Sequence, residues 1–227
     1  MNTHVFFITA KTNLHVGNES GGEFSIIDKA IQRDPLTSLP CINSSSLKGA
    51  IKEFCVHKTN VDIGKYFGSD VDKTTGKVKS DTKKGKAIFY DAKLLFLPQQ
   101  DDRTLYHYVT SDDVIKMMNE RAQLFNSPFK FDKPAKFQDR EVITCNEKES
   151  LTTLCHEENL PIIARNVLEN GESKNLWYEQ VLPAETVLYT IIQEEGEELA
   201  KAIDGQIVQI GANATIGYGY CKFELKK

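Results

Sequence analysis

The sequence predicts an α+β fold, one elaborated domain built on a ferredoxin-like sheet. Two observations carry this. A strand–helix–strand order is legible at each end of the 227 residues, as in a split βαβ sheet. No long Gly/Ser/Pro-rich linker divides the chain, so one domain with insertions is favoured over two.

Residues 4–13, "HVFFITAKTN", mix apolar and polar positions as a strand does. The loop "LHVGNESGGEF" follows, and "SIIDKAIQRD" is too short and too β-branched for a helix, so it reads as extended or irregular. "SSSLKGAIKEFCVHK" is a helix, with serines expected to cap its first turn and Leu47, Ala50, Ile51, Phe54 and Cys55 forming a buried stripe. Residues 68–86 are rich in Gly, Lys and Asp and read as a loop.

"KAIFYDAKLLFLP" is a strand, and "SDDVIKMMNERAQLF" is a helix with a serine cap and an acidic first turn. Residues 126–159 show no sustained period and read as an insertion. "LPIIARNVLENGESKNLWYEQVLP" places two apolar runs around "ENGES", a hairpin signal. "AETVLYTIIQ" is a strand and "EEGEELAKAIDG" a short helix. "QIVQIGANATIGYGYCKFEL" is two strands about a glycine-rich turn.

Composition narrows the function class. Net charge is −4, which argues against a free-standing nucleic-acid binder, since phosphate contacts need cations. The charge is uneven, however. Residues 72–86 hold six lysines against two aspartates, while residues 194–198 are "EEGEE". A near-neutral mean can therefore hide one basic face. No apolar run approaches the roughly 18 residues of a membrane helix, and the N-terminus lacks the basic region of a signal peptide. Five scattered cysteines form no CxxC pair. Neither a disulfide framework nor a zinc site is indicated, and a reduced, cytoplasmic chain is expected.

Several residues could carry chemistry. Asp28, between Ile27 and Lys29, reads either as a turn aspartate or as a carboxylate that holds a divalent cation or orients a 2′-hydroxyl. A single carboxylate suits Mg²⁺ if RNA and water supply the other ligands. His15 reads as a general acid or base, a phosphate contact, or a structural histidine. Ser44, Ser45, Ser46 and Lys48 gather hydroxyls, free helix N–H groups and a cation at one helix start, which suits a phosphate and equally suits an ordinary cap. Gly211, Asn213, Gly217 and Gly219 lie in a turn where backbone could approach a phosphate chain, or simply close a hairpin. Trp177 and Tyr178 could stack on bases or fill the core. The lysine run could be a charged flap over RNA or a solvated loop.

Taken together, "LHVGNESGG", "IIDKAIQRDPLTSLPCINSSSLKGAIKEF", "LWYEQVLP" and "QIGANATIGYGYCKFEL" resemble the RAMP superfamily of CRISPR proteins. The resemblance is nearest to the repeated backbone subunits of type III-B (Cmr) effector complexes. It covers about half of the chain, and residues 60–160 match no part of it.

The resemblance implies a modified RNA-recognition-like palm with inserted fingers and a β-hairpin thumb at about 160–183. The insertions would lie at about 60–86 and 126–159. Copies of the chain would stack as a filament on a guide CRISPR RNA, beside other subunits of the type III-B complex. Each thumb would displace a base of the guide–target duplex. Asp28 would assist metal-dependent cutting of single-stranded target RNA, with Mg²⁺ or Mn²⁺, by 2′-hydroxyl attack. His15, Arg33, Ser44–Ser46, Lys48, Gly211, Asn213, Gly217 and Gly219 would bind RNA, with Trp177 and Tyr178 on the thumb. His15 and Glu179 are weaker catalytic candidates. Gln180 departs from the pattern, which leads to a second acid after Glu179, and the chain is short for such a subunit. Two RNA-related alternatives stay open: a non-catalytic RNA-binding scaffold, and a stand-alone guide-processing ribonuclease. An unrelated α+β protein is the third.

Overall fold

A computed structural model describes residues 1–17, 27–68, 84–145 and 150–227. Most of the lysine run at 72–86 therefore lies outside the described residues, as do Gly21 and Gly22 of the first loop.

The chain opens with β1 (Asn2–Ala10), whose last six residues are all buried. Burial on both faces leaves residues 5–10 apolar apart from Thr9, itself fully buried. After the loop come β2 (Cys41–Ile42), α1 (Ser44–Lys58) and the short α2 (Ile63–Phe67). In α1, Leu47, Ile51 and Cys55 are buried at i, i+4, i+8, while Ala50 and Phe54 sit at the edge of the core. The helix start differs from expectation. Asn43 is the N-cap with no side-chain bond, and Asp91 Oδ1 accepts the Ser44 N–H at 2.8 Å. A carboxylate from elsewhere in the fold takes over the capping that the serines were expected to provide.

Next come β3 (Ile88–Phe89), β4 (Ala92–Asp101), β5 (Leu105–Thr110) and α3 (Asp112–Leu124). Ser111 caps α3 by accepting from the Val114 N–H at 3.2 Å. Residues 126–159 are not a separate excursion. They give β6 (Lys136–Phe137), β7 (Arg140–Thr144) and α4 (Leu151–Leu154). β7 pairs in parallel with β5, Tyr108 against Val142. Phe129, Phe131 and Phe137 pack on Phe7 with centroids 5.2–6.2 Å apart. Elements of two to five residues are too short to leave a period in the sequence.

The chain continues with β8 (Ile162–Glu169) and β9 (Glu172–Gln180), an antiparallel two-stranded sheet of its own. Asn170 and Gly171, at φ 53° and 86°, make its turn, the conformation favoured by an Asn-Gly hairpin. Both strands are largely exposed, until Glu179 and Gln180 dive into the core. β10 (Val187–Glu194), α5 (Glu198–Ile203), β11 (Ile207–Gln209), a 3₁₀ turn at Ala214–Ile216 and β12 (Tyr220–Lys226) complete the fold.

The main sheet is 10-stranded and mixed, in the order β11-β12-β1-β10-β4-β5-β7-β6, with β2 on β4 and β3 on β10. The first and last long strands are therefore neighbours, Phe6 opposite Leu225. That pairing brings the loop after β1, the turn before β12 and the base of the β8–β9 hairpin to one end of the sheet. The architecture is α+β, as predicted.

Candidate functional site

Asp28 is attached to the base of the hairpin. Its N–H and that of Lys29 both donate to the Tyr178 carbonyl, at 3.0 and 3.1 Å, and Gln180 N–H donates to the Lys29 carbonyl at 2.9 Å. The segment thus runs beside β9 as a short parallel bridge, Lys29 with Glu179. Asp28 Oδ2 accepts the Tyr178 N–H at 2.7 Å, and the residue is exposed. That bond ties Oδ2 to the backbone at the hairpin base. Beside it the Lys29 ammonium sits over the Trp177 ring, 4.9 Å from its centroid, a cation–π contact.

Directly beneath lies a buried polar cluster. His15 is 3% exposed and Glu179 2%. Glu179 Oε2 accepts from Asn213 Nδ2 at 2.7 Å and from Arg165 Nε at 3.1 Å. Its Oε1 lies 3.5 Å from His15 Nε2, and His15 Nδ1 is 2.7 Å from the Gln180 carbonyl. A carbonyl only accepts, so Nδ1 carries a proton. The Arg165 guanidinium stacks on Tyr218, 4.6 Å from the ring. The cluster joins the first loop, the hairpin and the glycine turn.

This geometry corrects several expectations. His15 and Glu179 are enclosed, each bonded to neighbours within the fold. Asn213 turns inward to Glu179 rather than outward. Its φ of 66° is left-handed backbone that asparagine tolerates. Gly211 and Gly219 serve chain packing: a Cβ on Gly211 would collide with the His15 carbonyl oxygen, and one on Gly219 with that of Ile210. Gly217 alone of the three is open around its Cα. Arg33 is also turned inward. Its Nη1 donates to the Ser38 and Cys155 carbonyls at 2.9 and 2.7 Å, since the planar guanidinium fork suits paired carbonyls. Trp177 is half-buried at the hairpin base and Tyr178 is exposed beside it. The apolar residues displayed further out are Val167, Leu168 and Leu176.

Ser45, Ser46 and Gly49 of α1 line a groove of about 1070 Å³ together with Val16 and Gly17 of the first loop and Gly211. Lys48 is half-buried on the same turn of the helix. Ser44 sits one position earlier, its N–H held by Asp91. The helix start, the first loop and the glycine turn therefore share one open channel.

Two glutamines tie these parts together: Gln32, which the sequence did not single out, and Gln180, noted there only as a departure from the family pattern. Gln32 donates from Nε2 to the Gly17 carbonyl and to Ser46 Oγ, both at 3.2 Å, and accepts the Asn43 N–H at 2.8 Å. Gln180, fully buried, accepts the Ile31 N–H at 3.4 Å and donates to the Glu157 carbonyl at 3.0 Å. Their signal was weak: a glutamine inside an otherwise apolar or β-branched run.

Two buried thiols are poor nucleophiles. Burial pushes Cys41 up to about 11 and Cys155 up to about 12, so both stay protonated near neutrality. Among the described residues, no group of three or more His, Cys, Asp or Glu could hold a metal. The exposed Asp28 carboxylate could hold a cation only with water and a bound substrate as the other ligands, a donor set that Mg²⁺ accepts.

The RAMP superfamily profile matches residues 7–222. The CRISPR system Cmr endoribonuclease Cmr4 of Pyrococcus furiosus is 25% identical, with 100% of this chain and 97% of that protein covered. Among solved structures, a chain of the type III-B Cmr-beta complex bound to cognate target RNA superposes with TM-score 0.77 at 21% identity. The match covers 99% of this chain and 97% of that one. Oligomeric Cmr4 from Pyrococcus furiosus superposes with TM-score 0.64 at 20% identity, over 100% and 98% of the two chains.

Proposed function

The chain belongs to the RAMP superfamily, and on that premise we propose that it is a backbone subunit of a type III-B CRISPR effector complex that cuts target RNA at Asp28. The observation that carries the reading is the setting of that carboxylate, exposed, held by Tyr178 and located where the hairpin leaves the body. The name of its Pyrococcus furiosus relative, an endoribonuclease, supports the activity. The target-bound Cmr-beta complex and oligomeric Cmr4 support an RNA partner, other subunits and copies of the chain.

The chemistry follows from the substrate. A target 2′-oxygen attacks the adjacent phosphorus, the P–O5′ bond breaks, water protonates the leaving 5′-oxygen, and the products are a 2′,3′-cyclic phosphate and a 5′-hydroxyl. Because RNA brings its own nucleophile, the protein has to place the phosphate in line and receive the 2′-proton. The Asp28 carboxylate is the acceptor, and Lys29 sets a positive charge beside it. A divalent cation, Mg²⁺ or Mn²⁺, held beside Asp28 through water and phosphate oxygens would neutralise the charge developing on phosphate. The hairpin is the thumb, with Leu168 and Leu176 as the apolar surface that separates stacked bases.

The guide backbone runs in the groove beside Ser45, Ser46 and Gly49, where α1 N–H groups meet phosphate. Base pairing supplies sequence choice, so the protein reads backbone and shape, as in another guide-RNA system. No helix among the described residues is long and apolar enough to cross a membrane. No disulfide joins the cysteines, which supports a reduced, cytoplasmic setting.

The test is target cutting by the assembled complex carrying Asp28→Ala, with and without EDTA. Loss of cutting with normal assembly is expected, as is loss in EDTA. Wild-type cutting with Asp28→Ala and normal assembly overturns the catalytic assignment of Asp28.

A further inference from the structure

We propose that Gln180 is a positioning residue for target cutting. Its side-chain amide sets where Asp28 stands by closing the loop that carries it onto the hairpin. The proposal rests on the reading of Asp28 as the cutting carboxylate.

Three of the four polar groups of Gln180 act on the loop or on the histidine beside it. Its N–H holds the Lys29 carbonyl at 2.9 Å. Its Oε1 takes the N–H of buried Ile31 at 3.4 Å. Its own carbonyl receives His15 Nδ1 at 2.7 Å. The fourth, Nε2, donates to the Glu157 carbonyl at 3.0 Å, which anchors the side chain to the segment leading into β8. Asp28 is thus fixed at one end by Tyr178 and, three residues on, by Gln180. Without the amide, Ile31 N–H loses its acceptor inside the core, and an unsatisfied buried donor drives the segment to move.

The site requires an amide specifically. One atom must accept from Ile31 and the other must donate to Glu157. A carboxylate cannot donate, and would set an oxygen against the Glu157 carbonyl. A protonated carboxyl can do both. The charged and titratable groups around the position are Asp28 and Lys29 on the loop, His15 below, Glu157 before β8, and Glu179 and Arg165 on the hairpin. Burial and the neighbouring acids favour the neutral form of a carboxyl placed there. Gln180→Glu is therefore a conditional variant, competent only when protonated.

The experiment uses the assembled complex with guide, under single-turnover conditions, at about pH 6 and about pH 8. Each variant is divided by wild type at the same pH. Gln180→Met, similar in size and without the amide, is expected to slow cutting about tenfold or more at both values, the scale of a small misplacement of a reacting group. Gln180→Glu is expected to be equally slow at the higher pH and to recover at the lower. Target affinity stays within about twofold for both, because the amide does not face RNA.

Cutting by Gln180→Met within about twofold of wild type, or a Gln180→Glu deficit that is the same at both pH values, overturns the proposal. If Gln180→Met does not assemble, Gln180→Glu assembled at the lower pH and shifted to the higher decides it alone. Asp28→Asn separates the two levels. Inactive Asp28→Asn with normal Gln180→Met sinks only the role of Gln180. Active Asp28→Asn sinks the reading beneath it.

Discussion

Substituting Glu179 distinguishes a structural tie from a group that acts on RNA. Two donors converge on Oε2, Asn213 at 2.7 Å and Arg165 at 3.1 Å, while Oε1 lies 3.5 Å from Nε2 of His15. Glu179→Gln can place its oxygen at Oε2 and its NH₂ against His15. Both bonds persist with a neutral acceptor, at roughly half the strength of charge-assisted ones, so the cost is about 1 kcal/mol.

Glu179→Ala removes both bonds, each worth about 1.5–3 kcal/mol with a charged partner. Arg165 is 20% exposed and stacks on Tyr218, so it is not left wholly desolvated. The lower end of the range applies, about 3 kcal/mol in total. At about 2–4 °C per kcal/mol for a chain of this size, thermal unfolding followed by circular dichroism should fall by about 6–12 °C for Ala and about 2–4 °C for Gln. Complexes with Glu179→Gln should cut target within about threefold of wild type. An Ala variant that melts like wild type refutes the tie. A Gln variant that folds, binds RNA and does not cut shows that Glu179 acts on the substrate directly.

Four further outcomes follow. Asp28→Asn keeps an acceptor for the Tyr178 N–H, so it should melt within about 0.5 kcal/mol of wild type while losing about 10²-fold or more in cutting. For Asp34, burial would raise the carboxyl. It is outweighed by the hydrogen bond and charge of Lys93 and by the bonds from Thr37, leaving it below its usual 3.8. The stability this pair contributes is therefore present above that value and is lost as pH falls through the lower, folded one. Acid unfolding of Asp34→Asn should lose part of the wild-type dependence below about pH 4. Gly219→Ala meets both a φ of 77° and the Ile210 carbonyl. It should cost at least about 1–3 kcal/mol in a denaturant melt, with Gly217→Ala, in open space, nearer the low end. Arg33→Met frees two carbonyls and should destabilise by about 1–3 kcal/mol. It should leave the salt dependence of RNA affinity unchanged, because this cation meets no phosphate.

Only part of the site was visible along the chain. Asp28 was singled out through the family resemblance, Ser45 and Ser46 by a helix-start pattern, and the hairpin by its turn residues. The inward turns of Arg33, His15 and Asn213 were not legible. A cation, an imidazole or an amide near glycines looks the same in sequence whether it faces solvent or a carbonyl. Gln32 was passed over for the converse reason: an uncharged side chain gives no sign of how many backbone groups it will satisfy.

The sequence by itself determined α1, α3, β10 and the β8–β9 hairpin. In these, the spacing of apolar residues, a serine cap or an Asn-Gly turn is decided within about a dozen residues by backbone sterics and burial. The tertiary structure alone decided that β7 joins β5 in parallel, that Asp91 rather than a serine holds the start of α1, and that His15, Glu179, Arg165 and Asn213 meet. Hydrophobic periodicity tells each element which face to bury. It carries no record of the partner. Hydrogen bonds are directional and short, so a carboxylate finds its donors only after strand register has brought distant loops to the same end of the sheet. Asp28 gains its place at the hairpin base in the same way, through backbone bonds to Tyr178 that exist only once β9 is in register.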